Sequence, residues 1–237
     1  MELDLRNFTG NHLPSADDTL PWFSVLEAGW VHDENPKRPH AKLHSGKCSN
    51  GFFLCKRVLK FPNLREILAA CLVRELSEAG LGVVDGVFGS AYSSITITAD
   101  VGRLLRVPNY IVEKGPKDPN TGKDTMVFKD DDPVPEGSVL LQIEELVTTK
   151  DSTLLASNAI IKGNPYQVRL AKFVGVLVHR PDEIDRCLPD GRELRPFIER
   201  KVGLWNPGPA TCGYCAQGSE PIPPKAKGNW ARLTAAY

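Results

Sequence analysis

The sequence predicts an α/β protein in which helices flank a mainly parallel central sheet. Short apolar runs at 82–89, 109–113, 139–143 and 172–178 alternate with stretches of helical periodicity, and this alternation favours parallel strands joined by helices. Polar, hydroxyl-rich segments follow two of the runs. In such sheets ligands bind outside the carboxyl ends of the strands, so we expect the functional site there.

The N-terminal part is less regular. Residues 1–40 are polar and contain prolines, so we expect irregular structure with a short helix, packed through Trp22, Phe23 and Trp30. Residues 41–60 suit strands around a turn.

Three helices are predicted, one before the first of the apolar runs and two between them. The first spans about 62–79, because its apolar residues recur every three to four positions; they are Leu64, Ile67, Leu68, Cys71, Leu72 and Leu76. The second follows residues 90–94 and runs to about 105, and the third ends near 162. Residues 114–137 are expected to form a long mobile loop, and the tail from 189 is expected to be irregular.

Composition limits the functional class. The 237 residues carry a net charge of zero, which disfavours a nucleic-acid partner bound by bulk positive charge. No apolar run approaches ~20 residues, so no membrane span is expected, and the N-terminus lacks the pattern of a secretion signal. A cytoplasmic location follows, in which the six cysteines are reduced thiols or metal ligands.

The most informative segment is 139–153, VLLQIEELVTTKDST. A buried strand delivers Glu144 and Glu145 to its end, where a hydroxyl-rich turn opens a helix. Free backbone N–H groups at a helix N-terminus bind phosphate, and an acid pair suits the hydroxyls of a sugar. A solvated acid pair is the alternative. We call residues 144–153 the cradle.

The cradle resembles the signature of type I phosphoribosyltransferases, and three further segments match the orotate branch of that family. They are 41–53 (AKLHSGKCSNGFF), 85–92 (DGVFGSAY) and 112–118 (VEKGPKD). The resemblance implies a parallel sheet with a small hood over the active site. It divides the chain into an N-terminal extension and hood (1–60), a phosphoribosyltransferase core (61–188) and a C-terminal tail (189–237).

The resemblance also implies roles for individual residues. Glu144 and Glu145 would face the ribose hydroxyls of phosphoribosyl pyrophosphate, and Lys114 and Lys117 would approach the leaving pyrophosphate. Its 5-phosphate would be surrounded by Thr148, Thr149, Lys150, Asp151, Ser152 and Thr153. The pyrophosphate would be held by Ser90, Ala91 and Tyr92, and the base pocket would be lined by His44, Phe52 and Phe53.

The reaction implied is phosphoribosyl transfer to a pyrimidine base, with Mg²⁺ carried mainly by the pyrophosphate oxygens. The family also implies a homodimer. Several positions depart from the family pattern: Lys150 and Asp151 replace two glycines, Ser93 and Ser94 replace a basic residue and a glycine, and His44, Glu113 and Pro119 replace a lysine, an arginine and a histidine. Two alternatives therefore stay open, a binding protein without turnover and an enzyme for another base.

The remaining motif is Cys212-Gly-Tyr-Cys215. Two cysteines at this spacing are half of a structural zinc site. If the tail folds over the hood, Cys48 and Cys55 would complete a set of four thiolates, and His40 or His44 could substitute for one. Two reduced thiols are the alternative.

Overall fold

The computed structural model describes residues 13–43, 45–129 and 131–235. In those residues the helices are α1 (Ala16–Val25), α2 (Lys56–Leu59), α3 (Pro62–Glu78), α4 (Ile95–Leu105), α5 (Asp151–Gly163), α6 (Gly213–Ala216) and α7 (Asn229–Thr234). The strands are β1 (Gly29–Val31), β2 (His40–Lys42), β3 (Cys48–Ser49), β4 (Gly51–Phe53), β5 (Gly86–Ser90), β6 (Asn109–Lys114), β7 (Met126–Phe128), β8 (Val139–Val147), β9 (Arg169–His179), β10 (Glu193–Glu199), β11 (Leu204–Trp205) and β12 (Pro221–Ile222).

A six-stranded sheet in the order β10-β9-β8-β5-β6-β7 forms the centre of the molecule. All its neighbours are parallel except β6 and β7, which are antiparallel. The predicted fold class, a mainly parallel sheet flanked by helices, is therefore confirmed.

Both faces of this sheet are covered, because successive strand residues point to opposite sides. Val87 and Leu141 pack with α3 and α4 in the main core, while Phe88 and Leu140 pack with Ala156 and Ile160 of α5 on the opposite face. The continuous apolar runs of the sequence reflect this burial on both faces.

A second sheet joins the hood to the tail. Its order is β11-β3-β2-β12, so two tail strands flank two hood strands. β12 runs parallel to β2, and β11 pairs with β3 in the antiparallel sense. The small strands β1 and β4 form a separate antiparallel pair.

Two expectations from the sequence are wrong. Residues 114–137 are not loop throughout, because β7 folds back on β6 and pairs Glu113 with Val127. The tail is not irregular from 189, because β10 extends the central sheet beside β9. Pro196 obscured this strand, but an edge strand tolerates a proline. Across the described part of the chain, no helix combines the length and apolarity that crossing a membrane would take.

Candidate active site

The cradle and the turn at 90–94 lie side by side at one edge of the central sheet. β5 and β8 are parallel neighbours, with Gly89 opposite Ile143, so their carboxyl ends bring Ser90 next to Glu144. The Ser90 hydroxyl donates to Glu144 Oε2 over 2.5 Å. The structure thus joins two segments that the sequence analysis placed in one site.

Glu144 faces inward. Its side chain is buried, Oε1 accepts from Gln142 Nε2 at 2.6 Å, and Oε2 accepts from Ser90. Burial raises the pKa of Glu144 to about 7, although the hydrogen bonds from Ser90 and Gln142 oppose the rise. Both oxygens of Glu144 accept from protein donors in this structure, and its expected place at a ribose stays a prediction.

A buried polar network supports Glu144 from behind. Arg192 donates from Nη1 to Gln142 Oε1 at 2.8 Å and from Nη2 to Ser157 Oγ at 2.5 Å. Ser157 in turn donates to Gln142 Oε1. Arg192 could not be predicted from the sequence, because a lone arginine in an expected irregular tail gives no signal.

Glu145, the next residue of β8, points to the opposite side of the sheet from Glu144 and is half-buried. Its Oε2 is buried and has no hydrogen-bond partner among the described residues. Burial raises its pKa, while a hydrogen bond from Ser93 and the charges of Lys225 and Lys56 lower it. An unpartnered buried oxygen is costly, and a sugar hydroxyl donating to it would remove that cost.

The turn at 90–94 has little room for larger residues. The Ser94 hydroxyl donates to the Ser90 carbonyl at 2.5 Å, and Thr98 Oγ1 donates to the Ser94 carbonyl at 2.7 Å. A Cβ on Gly89 would lie 2.6 Å from the Ile143 carbonyl oxygen. Ala91 is buried and Tyr92 exposed, so Tyr92 projects from a tightly held backbone.

One residue of the cradle loop has a backbone conformation typical of glycine, although it is not a glycine. Lys150 has φ 63°, the left-handed region that glycine adopts most easily. Its Nζ turns away from the loop, onto Asp185 Oδ2 at 2.5 Å and the Cys187 carbonyl at 2.7 Å. The expected contact of Lys150 with phosphate is therefore replaced by an anchor to the β9–β10 connection.

Asp151 is the first residue of α5, whose opening N–H groups have no intrahelical acceptors. Its Oδ2 accepts from Thr149 Oγ1 at 3.1 Å. Thr148, Ser152 and Thr153 complete the loop, and Thr153 is buried beneath it. The loop therefore offers backbone donors to an anion, with one carboxylate already beside them.

Lys114 and Lys117 come from the hairpin that joins β6 and β7. Lys114 ends β6, and Lys117 lies in the connection, where Asp118 accepts from the backbone N–H groups of Asn120 and Thr121. A cleft of about 710 Å³ separates this connection from the start of α5, and Lys117, Asp151 and Ser152 are among its lining residues. The structure thus brings Lys117 to the cradle.

The three residues expected to line a base pocket have different positions. Phe52 is half-buried, with its ring near Trp230 of the tail. Phe53 points to the opposite side of β4 and packs in the core, 6.0 Å from the Phe23 ring, so its expected role in the pocket is wrong. His44 lies outside the described residues.

Two cations flank the Phe52 ring, and the sequence analysis assigned neither to the base pocket. The Arg180 guanidinium lies 5.9 Å from the ring centroid and the Lys225 ammonium 6.0 Å from it. Arg180 is buried, donates from Nη1 to the Gly51 carbonyl at 2.9 Å, and leaves Nε without a partner among the described residues. Burial lowers the pKa of Arg180 to about 10, so it stays charged at neutral pH.

A separate cluster joins the hood to the tail. The donor atoms of His40, Cys48, Cys212 and Cys215 all lie within 4.8 Å of one another; we call these four residues the clasp. Cys48 Sγ is 3.8 Å from Cys215 Sγ, and His40 Nε2 is 3.7 Å from Cys212 Sγ and 3.6 Å from Cys215 Sγ. A tetrahedral zinc ion would need about 3.8 Å between sulfurs and about 3.6 Å between sulfur and nitrogen.

Cys55 does not belong to the clasp, which corrects the expected set of four thiolates. Its Sγ lies 3.7 Å from the Glu145 carbonyl oxygen instead. Cys55 precedes α2, whereas Cys48 is on β3 beside His40 of β2. The short strands therefore bring a histidine, not the second hood cysteine, to the tail.

The tautomer of His40 suits a metal ligand. The Ser219 hydroxyl donates to the Arg38 carbonyl at 2.7 Å, so its oxygen accepts from His40 Nδ1 at 2.9 Å. The proton then sits on Nδ1, and the lone pair of Nε2 points at the thiols. Burial lowers the pKa of His40 to about 4, which keeps the ring neutral.

Comparison with known proteins agrees with this geometry. No family model matches the chain. The chain is 30% identical over 196 residues to an orotate phosphoribosyltransferase of Nitratiruptor sp., covering 80% of this chain and 92% of that protein. It is 25% identical over 188 residues to one from Pelotomaculum thermopropionicum, covering 79% and 89%.

Solved structures share the fold. The orotate phosphoribosyltransferase of Aeropyrum pernix superposes with a TM-score of 0.56 at 18% identity, covering 76% of this chain and 93% of that one. A phosphoribosyltransferase from Corynebacterium diphtheriae gives 0.51 at 17% identity, covering 78% and 95%. The chain therefore belongs to the type I phosphoribosyltransferase family of glycosyltransferases, where it resembles the orotate phosphoribosyltransferases.

Proposed function

We propose that this phosphoribosyltransferase transfers the phosphoribosyl group of phosphoribosyl pyrophosphate to the pyrimidine base orotate. The bond between ribose C1 and pyrophosphate oxygen breaks, and a bond between C1 and a ring nitrogen of the base forms. The ring nitrogen loses its proton, and pyrophosphate leaves. The products are orotidine monophosphate and pyrophosphate.

One observation carries this proposal: Glu145 lies beside the 90–94 turn, where Ser93 donates a hydrogen bond to its carboxylate. Glu145 Oε2 is buried without a partner among the described residues, which suits a ribose hydroxyl. The first-turn N–H groups of α5 suit a 5-phosphate, and the turn after β5 suits a pyrophosphate. Three parts of one substrate thus find matching groups at one edge of the sheet.

The chemistry needs placement and charge more than a strong nucleophile. Departure of pyrophosphate leaves positive charge on the ribose and adds negative charge to the leaving group, so pre-placed groups of opposite sign lower the barrier. Glu145 would face the ribose, and Lys114 and Lys117 would face the pyrophosphate. Mg²⁺ would be held mainly by substrate oxygens, with Glu145 as a candidate protein ligand; bound there, it would neutralise phosphate charge.

The base preference rests on the Phe52 ring and the charged groups beside it. A planar base can stack on Phe52, and the charges of Arg180 and Lys225 beside that ring attract a carboxylate of the base. An anionic base such as orotate fits this positive end better than an uncharged base.

A second function, binding without turnover, is favoured by Asp151. Its carboxylate lies at the helix N-terminus that would hold the 5-phosphate and accepts from Thr149. A negative charge at that point weakens phosphate binding and disturbs alignment of the substrate.

Pyrophosphate release separates these functions. The purified protein is incubated with Mg²⁺ and phosphoribosyl pyrophosphate, together with orotate, uracil or adenine. Release with orotate supports the proposal, whereas release only with another base assigns a different substrate. No release with any base, with phosphoribosyl pyrophosphate still bound, would leave the binding function. Glu145→Gln should lower kcat/KM about 100-fold, with exposed Glu136→Gln as the matched control.

Two further proposals concern assembly and metal. We propose a homodimer, as the family resemblance implies, which light scattering of the purified protein tests. We also propose that the clasp holds one structural Zn²⁺, because three thiols and a neutral imidazole are its preferred ligands. Metal analysis of protein prepared without chelator should find about one zinc per chain; a clearly lower content would contradict this.

A further inference from the structure

We infer that the clasp serves the active site: it holds the tail so that Lys225 stands beside Phe52 and binds the carboxylate of an anionic base. This inference rests on the proposed function and deepens it. In this inference Lys225 of the tail supplies the positive charge that a lysine supplies at the position of His44 in the family pattern.

Lys225 belongs to a segment that is fixed on both sides. Before it, Cys212 and Cys215 enter the clasp, and β12 pairs with β2. After it, Trp230 and Leu233 of α7 are buried against the hood. Lys225 itself is exposed, so its position depends on its neighbours in the chain and not on burial of its own side chain.

The ammonium group of Lys225 lies at the site rather than at its margin. It is 6.0 Å from the Phe52 ring centroid, and its charge acts on the Glu145 carboxylate, the one with the free oxygen. Arg180 approaches the same ring at 5.9 Å. The two cations therefore converge on one aromatic ring, next to an acid that would hold the ribose.

This arrangement selects the charge of the base. A stacked ring on Phe52 would place its edge between a guanidinium and an ammonium group, and a carboxylate substituent would pair with both. An uncharged pyrimidine would gain only the stacking and a neutral hydrogen bond. The tail lysine is thus a specificity-determining residue, and the clasp is the anchor of its segment.

The hood and the tail meet through the clasp, through short strand pairs and through α7. The clasp links β2 and β3 to α6, β11 and β12 contribute two-residue strands, and Trp230 and Leu233 pack in the hood core. Such short pairings add little stability alone. A metal ion with four ligands from both segments would therefore restrict the tail much more than the strand pairs do.

The first test concerns Lys225. Steady-state kinetics of Lys225→Met, Lys225→Arg and Lys227→Met are compared; Lys227 is an exposed lysine of the same segment. We expect Lys225→Met to raise KM for orotate about 10-fold, with KM for phosphoribosyl pyrophosphate within about 2-fold. Lys225→Arg should recover most of the loss and Lys227→Met should change neither constant. An unchanged KM for orotate in Lys225→Met would overturn the inference.

The outcomes keep the inference separate from the proposed function. Absence of turnover in the unmodified protein with every base defeats the proposed function. Calorimetric titration of orotate, in the presence of pyrophosphate and Mg²⁺, then still tests Lys225: weaker binding to Lys225→Met supports the inference, and equal or absent binding to both proteins overturns it.

The second test concerns the clasp. Cys212→Ser is compared with Cys187→Ser, a matched control because Cys187 is exposed and outside the clasp. We expect Cys212→Ser to lose zinc, to be cleaved faster by trypsin at Lys225 and Lys227, and to raise KM for orotate. The double variant of Cys212→Ser and Lys225→Met should have a KM for orotate close to that of Lys225→Met alone, because both changes remove the same interaction. Should Cys212→Ser fail to fold, chelation of the unmodified protein replaces it. Loss of zinc with an unchanged KM for orotate would overturn the link between clasp and base.

Discussion

The cradle and the clasp are built in opposite ways. The cradle is one continuous stretch, residues 144–153, that passes from a strand into a helix. The clasp gathers His40 and Cys48 from the hood and Cys212 and Cys215 from the tail, and the Cys48–Cys215 pair spans 167 positions of the chain. One region depends on local backbone geometry, and the other depends on the completed fold.

This difference governs how each region tolerates substitution. In the loop of the cradle, the groups that would bind phosphate are backbone N–H groups, so Lys150 can stand where the family pattern has glycine, provided it takes the same φ and turns its side chain toward Asp185. At the clasp the groups that would bind a metal are side chains, and each is one of four. We therefore expect large effects at the clasp and small ones in the cradle loop.

The largest expected effect on stability is metal loss from the clasp. An ion bound about 1,000-fold above its dissociation constant adds about 4 kcal/mol to the free energy of unfolding. Chelation, or Cys212→Ser, should lower that free energy by this amount in urea titrations. Cys187→Ser should not, and equal unfolding midpoints with and without chelator would refute a structural metal.

Glu144 should make the protein less stable as pH rises. Its pKa is raised to about 7 by burial, above an ordinary value of 4.5, so the folded state prefers the protonated acid. The associated stability is complete below about pH 4.5 and is lost as pH rises through about 7, by about 3 kcal/mol at most. Glu144→Gln should flatten this slope in urea titrations between pH 5 and 8, whereas Glu136→Gln should keep it.

Asp151 should weaken phosphate binding by a modest amount. Removing its charge with Asp151→Asn should lower KM for phosphoribosyl pyrophosphate about 2- to 5-fold, since a charge at a helix terminus contributes about 0.3–1 kcal/mol. Asp131→Asn, an exposed acid, serves as the control. A higher KM in Asp151→Asn would mean that the carboxylate holds the loop in its binding conformation.

Lys150 should give the smallest effect. Lys150→Gly relieves a left-handed backbone conformation worth about 1 kcal/mol. It also removes the ion pair with exposed Asp185, which solvent screens, and gives the unfolded chain the greater conformational freedom of glycine. The free energy of unfolding should change by less than about 1 kcal/mol, because these terms oppose one another. A loss above about 2 kcal/mol would show that the anchor to the β9–β10 connection stabilises the loop more than its geometry indicates.

Sequence patterns revealed the parts of this molecule that depend on neighbours along the chain. The buried strands appear as apolar runs, and α3 as a helical spacing of leucines, so the sheet and its class could be predicted. β10 could not be predicted, because Pro196 argues against a strand everywhere except at the edge of a sheet. The edge position is known only once the sheet is assembled.

The site shows the same division. Glu145 and the hydroxyls of the cradle share one segment and could be found together. Arg180, Arg192 and Lys225 are single basic residues whose positions come from the packing of β9, β10 and the tail, and nothing near them in sequence marks them. Phe52 and Phe53 look alike in sequence, but strand alternation sends only Phe52 toward Arg180 and Lys225.

The span of the clasp has a consequence for synthesis. During translation His40 and Cys48 leave the ribosome long before Cys212 and Cys215, and domains fold from the N-terminal side as they emerge. His40 and Cys48 would therefore be without Cys212 and Cys215 until almost all of the described chain has been made. Metal binding would then be a late event in biogenesis, and it would occur only after the tail has packed against the hood.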